Sequence, residues 1–176
     1  MLIRPATLAD APAVTAIYNA EGVATTASYD LEPVSVAERE RYIAEHLDAG
    51  LPFYVAEDAT TVVGYACYGG FRVKPGYRYS VEHSVYVASS HRGRGVGRAL
   101  LSELIATARA AGLHVMVAVI DAANSSSVAF HAGFGFEAAG IWPEICWKFG
   151  AWHDVAVMTL KLGDAVPEPG NVIFGG

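Results

Sequence analysis

The chain has only two cysteines in 176 residues, Cys67 and Cys146, set far apart and without a Cys-x-x-Cys spacing. That excludes a disulfide framework and a thiolate zinc site, and two reduced thiols are expected. It also lacks a long apolar run. The longest, Val115 to Ile120, is six residues, where a bilayer-spanning helix needs about 20. The first residues, Met-Leu-Ile-Arg-Pro, hold no apolar signal region followed by a small-residue cleavage site, so a cytoplasmic location is the expectation and the sequon at Asn124-Ser125-Ser126 is idle. Basic residues are scarcer than acidic ones, 12 Lys and Arg against 18 Asp and Glu. A net charge of −6 argues against a nucleic-acid or anionic-membrane partner, whose mark is a basic face.

What remains is 53% apolar and 17% charged, the composition of a globular chain long enough to bury its own core. Its charge is unevenly placed. Arg72, Lys74, Arg78, Arg92, Arg94 and Arg98 lie in one segment with Glu82 as the one acid, a net +5, which leaves −11 for the remainder. The acidic remainder is expected to face solvent.

Hydrophobic periodicity organises the chain. A short strand at Leu2-Ile3 precedes Thr7-x-x-Asp10, a capping-box spacing with Asp in place of Glu, and Leu8, Ala11, Val14, Ile17 and Tyr18 then recur at helical intervals. Ser35 to His46 reads as a more polar helix, closed by Gly50-Leu51-Pro52. Phe53–Glu57 and Thr61–Phe71 read as a hairpin. From Val81 to Val87, alternation places Glu82, Ser84 and Tyr86 on one face and His83 with the valines on the other. A polar loop, Ala88 to Gly97, leads into a helix whose buried stripe is Val96, Leu100, Leu104, Ile105, Ala108 and Ala111, ending near Gly112. Leu113–Ile120 reads as a buried strand, Asn124–Gly133 as a short helix, and Phe136–Phe149 with Trp152–Leu162 as a closing hairpin. A single domain over residues 1–162 is expected, followed by a Pro/Gly-rich tail, 163–176.

Chemistry concentrates at Arg92-Gly93-Arg94-Gly95-Val96-Gly97-Arg98, between the strand carrying Glu82 and the amphipathic helix. Glycines allow a tight loop of inward-pointing N–H groups, and the helix start adds its dipole, so the segment can hold a phosphate. It has neither the Gly-Lys-Ser/Thr ending of a P-loop nor the third glycine of a dinucleotide fingerprint. By itself an ordinary basic turn would look the same.

The loop resembles the Arg/Gln-x-x-Gly-x-Gly/Ala pyrophosphate motif of the GCN5-related N-acetyltransferase family. A second family segment is matched by Asn124 to His131 followed by Gly135-Phe136. Ile17-Tyr18-Asn19, Ser28-Tyr29-Asp30, Phe71-Arg72, Gly76-Tyr77, the run Glu82 to Val87 and Lys148-x-Gly150-x-Trp152-x-Asp154 resemble its phosphinothricin and methionine-sulfone group, as does histidine rather than tyrosine at His131. The resemblance implies the single-domain acyl-CoA N-acyltransferase fold of the α/β (α+β) class, a mixed, mostly antiparallel central sheet flanked by helices. It implies acetyl-CoA as co-substrate, bound by Arg92, Gly93, Arg94, Gly95, Val96, Gly97 and Arg98 at its pyrophosphate. Val85, Tyr86 and Val87 would run along its pantetheine arm, with a backbone N–H for the thioester oxygen, and Asn124 would hydrogen-bond that arm.

It further implies Glu82 as general base, direct or through water, and His131 as base or as acid to the thiolate. Arg72 and Tyr77, with His83 and Ser84 beside Glu82, would receive a small acidic or zwitterionic amino acid; a guanidinium suits its acid group. Plainer readings stand alongside: a strand glutamate is commonly solvated, and a helical histidine beside Phe130 commonly packs or caps. An acetyltransferase for a polyamine, an aminoglycoside or a protein N-terminus is the alternative enzyme, with Arg72 weighing against cationic acceptors. A non-catalytic acyl-CoA-binding module is the alternative outside enzymes. His46, His91 and His153 lack metal-site spacing, no metal is expected, and Trp142, Trp147 and Trp152 read as core or subunit-interface residues. The resemblance implies a homodimer.

Overall fold

The computed structural model describes residues 1–164; from residue 165 onward the expected tail lies outside the described residues. Among the described residues are seven strands, β1 Leu2–Pro5, β2 Phe53–Asp58, β3 Thr61–Gly70, β4 Ser80–Val87, β5 Val115–Asp121, β6 Glu137–Lys148 and β7 Ala151–Lys161, and four α-helices, α1 Ala11–Tyr18, α2 Val36–Asp48, α3 Val96–Ala110 and α4 Ser125–Ala132. The strands are hydrogen-bonded in the order β1-β2-β3-β4-β5-β7-β6. β4 and β5 pair in parallel through Ser80–Glu82, whereas β1–β2, β2–β3, β5–β7 and β6–β7 are antiparallel. This is the mixed, mostly antiparallel architecture with flanking helices that the sequence led us to expect. Its described residues form two compact units, residues 1–68 with 84–104, and residues 69–83 with 105–164.

In the first unit, Asp10 accepts bonds from the Thr7 N–H (2.8 Å) and hydroxyl (3.1 Å), as the Thr7-x-x-Asp10 spacing predicts. Arg4 adds two bonds of 2.8 Å and holds the Asp10 carboxyl below its usual range. The expected single helix is divided: a 3-10 turn, Leu8–Asp10, precedes α1, and α1 widens into a π-helical turn, Asn19–Val23. Gly22 makes that turn possible. A Cβ there would stand 3.0–3.2 Å from the rings of Tyr86 and Tyr18.

Ser35 caps α2 in a reciprocal box with Glu38, its N–H and hydroxyl each 2.7 Å from the Glu38 carboxylate. This polar helix also buries a cation: Arg39 is 6% exposed, with its guanidinium carbon 4.1 Å over the Tyr18 ring and 5.0 Å over the Tyr42 ring. Val14, Ile17, Ile43, Phe53, Val55 and Tyr65 form the core beneath. Tyr65 stacks on Phe53 and on Tyr86, both at 5.4 Å, and burial pushes the neighbouring Cys67 thiol up to about 11.

In the second unit, β5 is buried along most of its length, as its β-branched run implies. β7 buries Val155, Val157, Met158 and Leu160. The β6–β7 turn is made by Phe149 and Gly150, both left-handed (φ 51° and 75°). Pro143 is tolerated in β6 because the ladder breaks there: the register shifts between Trp142 and Cys146, and the Glu144 N–H goes instead to Asp154 Oδ1 at 2.8 Å. Lys148, 2% exposed, has its ammonium 5.0 Å from the Phe149 ring, and Lys161 pairs with Asp164. Of the two readings open for Trp142, Trp147 and Trp152, core or subunit interface, their exposures of 36%, 51% and 58% exclude the core. One expectation is corrected: the acidic remainder does not all face solvent, because Asp10, Glu21 and Asp121 are buried.

Candidate active site

β4 carries the first candidates. Glu82 and His83 are consecutive, so the pleat sends their side chains to opposite faces. Glu82 is half-buried; burial raises its carboxyl above the usual carboxylate range, and the charge of Arg72 partly opposes that rise. Arg72 leaves β3 on an exposed turn, where its guanidinium carbon lies 4.5 Å over the Phe71 ring. Tyr77 meets the same ring edge-on at 5.9 Å, and the Phe71 N–H is fixed to the Ser80 carbonyl at 3.1 Å. The Phe71 ring thus contacts both Arg72 and Tyr77, which remain exposed.

His83 is buried, its ring 5.1 Å from that of His131 and 5.5 Å from Phe136. Neither His83 nitrogen has a hydrogen-bond partner among the described residues, and burial, with the neighbouring His131, pushes its ionisation down to about 3. His131 sits in the last turn of α4, where its Nδ1 is 2.7 Å from the Ser127 carbonyl oxygen. A carbonyl can only accept, so Nδ1 carries the proton and the neutral ring keeps a lone pair on Nε2. That Nε2 is buried without a partner among the described residues, and burial lowers the ring's basicity, so His131 is neutral at pH 7. Asn124 is the N-cap of α4; its Oδ1 accepts from the Ser127 N–H (3.0 Å) and the Ser126 hydroxyl (2.8 Å). The carbonyl end of that amide is therefore engaged, which leaves the NH2 end as the group Asn124 can offer.

Ser84, Val85, Tyr86 and Val87 continue β4 into the other unit. The Tyr86 side chain is tied down: its hydroxyl donates to the Ala27 carbonyl at 3.0 Å, and its ring packs on Tyr18 and Tyr65. Its backbone is what it can offer a ligand. Past a 3-10 turn, Ser89–His91, the chain reaches Gly93 and Gly95, with φ of +73° and +82°, where no atom lies within 4 Å of the position a Cβ would take. α3 begins at Val96. The first intrahelical bond there is Ala99 N–H to Gly95 carbonyl, so the N–H groups of Val96, Gly97 and Arg98 precede the ladder. Open space over two left-handed glycines, a helix start and the exposed Arg94 and Arg98 fit a diphosphate.

Arg92 is differently engaged. Its Nη2 donates to Glu21 Oε2 at 2.5 Å, while Glu21 Oε1 accepts from the Ser89 N–H at 2.7 Å. Sequence reasoning missed Glu21, a single acid in an Asn-Ala-Glu-Gly stretch with no motif around it. Among the described residues, no group of three or more His, Cys, Asp or Glu is placed to hold a metal, and no helix is long and apolar enough to cross a membrane.

A glycine-rich cradle at the start of a helix is the kind of element that holds a nucleotide's phosphates. Residues 14–136 match the Acetyltransferase (GNAT) family, and the chain belongs to that family. It is 46% identical over 168 residues, 95% of this chain and 98% of the relative, to the L-methionine sulfoximine/L-methionine sulfone acetyltransferase of Pseudomonas paraeruginosa. It is 39% identical over 163 residues, 90% of this chain and 83% of the relative, to the phosphinothricin N-acetyltransferase of Alcaligenes faecalis. The crystal structure of a phosphinothricin acetyltransferase from Sinorhizobium meliloti in complex with acetyl-CoA is similar with a TM-score of 0.93 at 36% identity, covering 99% of this chain and 98% of that one.

Proposed function

We propose that this protein is an acetyl-CoA-dependent N-acetyltransferase that acetylates the α-amine of a small amino acid or analogue of the methionine sulfone, methionine sulfoximine or phosphinothricin type, with residues 1–162 as its catalytic domain. The observation that carries the reading is the 46% identity over nearly the whole of both chains to a methionine sulfoximine/sulfone acetyltransferase. Acetyl-CoA supplies the acetyl group as a thioester, whose thiolate is the leaving group. Gly93, Arg94, Gly95, Val96, Gly97 and Arg98 hold its diphosphate through main-chain N–H groups and two guanidinium charges, Arg92 supports the loop, and Val85, Tyr86, Val87 and the Asn124 amide line the pantetheine arm. A β4 N–H in the Val85–Val87 stretch donates to the thioester oxygen as negative charge develops there.

The acceptor's acid group is met by Arg72, with Tyr77 and Ser84 shaping its pocket, while His83, buried on the opposite face of β4, packs behind against His131 and Phe136. An α-amino group is mostly ammonium at pH 7, so it must lose a proton before it can attack. Glu82 takes that proton. Burial makes its carboxylate a stronger base than a solvated glutamate, and Arg72 offsets part of the effect. His131, neutral and with its lone pair on Nε2, serves as the second base rather than as an acid in the resting enzyme. A cytoplasmic location and a homodimer complete the reading; the exposed Ile141, Trp142, Ile145, Trp147, Phe149 and Trp152 of the β6–β7 hairpin support the latter.

The test is release of free thiol from acetyl-CoA across an acceptor panel of methionine sulfone, methionine sulfoximine, phosphinothricin, spermidine, an aminoglycoside and an alanine-starting peptide. Turnover is expected with the first three. Turnover confined to the others would replace the acceptor assignment, and acetyl-CoA binding without turnover would make the protein a binding module.

A further inference from the structure

Glu21 has no place in the reaction described above, yet it is buried in the π-helical turn and makes two contacts to the loop that leads to Gly93. Its two carboxylate oxygens go to different places: Oε1 to the Ser89 N–H at 2.7 Å and Oε2 to the Arg92 guanidinium at 2.5 Å. Ser89 opens the 3-10 turn before the glycine loop, and Arg92 is the residue after that turn, so one side chain pins both ends of the segment. The carboxylate has a reason to stay there. It is 11% exposed, and a buried carboxylate that lost its guanidinium would be an unpaired charge, whereas Arg92 is 60% exposed and could swing into water at little cost.

We propose that Glu21 is a positioning residue for the donor: it fixes the Ser89–Arg92 segment so that the N–H groups of the Gly93–Gly97 loop are already aimed at the coenzyme's diphosphate, and it turns Arg92 from a phosphate ligand into the strap that holds the loop. The proposal rests on the reading of the loop as the acetyl-CoA diphosphate site. Its physical content is preorganisation. A glycine loop has many accessible conformations, and ordering it before the ligand arrives spares that entropy at binding. The π turn is the part that delivers the carboxylate, and Gly22 is what lets the turn lie against Tyr18 and Tyr86.

The experiment compares coenzyme A with S-acetylpantetheine, which carries the same thioester and arm without the nucleotide or its phosphates. In Glu21→Gln and Glu21→Ala, the dissociation constant of coenzyme A, read by calorimetry, and the KM for acetyl-CoA are expected to rise about tenfold, the loss of one or two charge-assisted hydrogen bonds. KM for S-acetylpantetheine is expected to stay within twofold of the parent protein. Arg92→Gln is expected to weaken coenzyme A too, by less than Glu21→Ala, which also loses the Ser89 contact, and Glu21→Gln with Arg92→Gln to cost less than the sum of the two, because they share one contact. Equal weakening of the two donors would make Glu21 a general structural residue and overturn the proposal. So would unchanged coenzyme A affinity in Glu21→Gln, or fully additive losses in the pair. If the parent protein bound no coenzyme A at all, the reading of the loop would fail first, and that result is distinguishable from the others.

Discussion

Replacing Glu82 by glutamine separates two consequences of one buried carboxyl. Its ionisation is raised in the folded protein, so the charged form is disfavoured there relative to the unfolded chain at neutral pH, and the penalty fades as pH falls through the folded-state value. Glu82→Gln is therefore expected to melt at a higher temperature than the parent at pH 7 while its turnover drops about 100-fold or more, the usual range for a lost general base. Unchanged turnover would remove Glu82 from the reaction, and a lowered melting temperature would contradict the burial argument. His83 has the opposite sign. The folded protein keeps its ring neutral down to about pH 3, but the unfolded chain protonates it below about 6.5. Stability should fall as pH drops from 6.5 towards 3, by about 1.4 kcal/mol per pH unit from this group. His83→Phe, which keeps an aromatic beside Phe136, is expected to flatten that limb in urea melts at a series of pH values, and an unaltered slope would show that His83 does not titrate as its burial implies.

Among the elements, β3 and β4 meet at a place where only glycine fits. A Cβ on Gly64 would stand 3.0 Å from the Tyr86 carbonyl oxygen and 3.2 Å from Leu100 and Val96. Backbone cannot rotate aside as a side chain can, so Gly64→Ala is expected to cost about 1–3 kcal/mol in chemical denaturation. Because the displaced atoms belong to the stretch proposed to line the pantetheine arm, KM for acetyl-CoA should rise as well. α3, β5 and the capping box at Thr7 were legible because each depends on a local period or spacing that the chain displays directly. Glu82 and His131 were legible as candidates through motif context, and the direction of the His131 proton was not, since it depends on which carbonyl its Nδ1 meets. Glu21 and the π turn left no trace in the sequence: one extra residue per turn is invisible to a 3.6-residue period, and the partners of Glu21 lie about 70 positions away. Arg39 was hidden too, because charge on a helix reads as solvent-facing until two tyrosines are found around it.

At the scale of the molecule, the hairpin β6–β7 presents an apolar, tryptophan-bearing face that the described residues do not cover. Sequence could mark those tryptophans as core or interface but could not choose, because both uses need the same residues and differ only in what covers them. A particle of twice the chain's mass is expected in sedimentation at micromolar protein, and Trp147→Glu with Ile145→Asp is expected to reduce it to one chain. A parent protein that sediments as a monomer would remove the dimer from the reading. The buried Lys148 has a different consequence for a protein that handles a reactive thioester. Only an uncharged, accessible amine is open to stray acylation, and the sequence has three lysines in all. Lys148 is sealed inside the fold, which leaves Lys74 on its exposed turn and the exposed Lys161 beside Asp164 as the side-chain amines open to chemical self-modification.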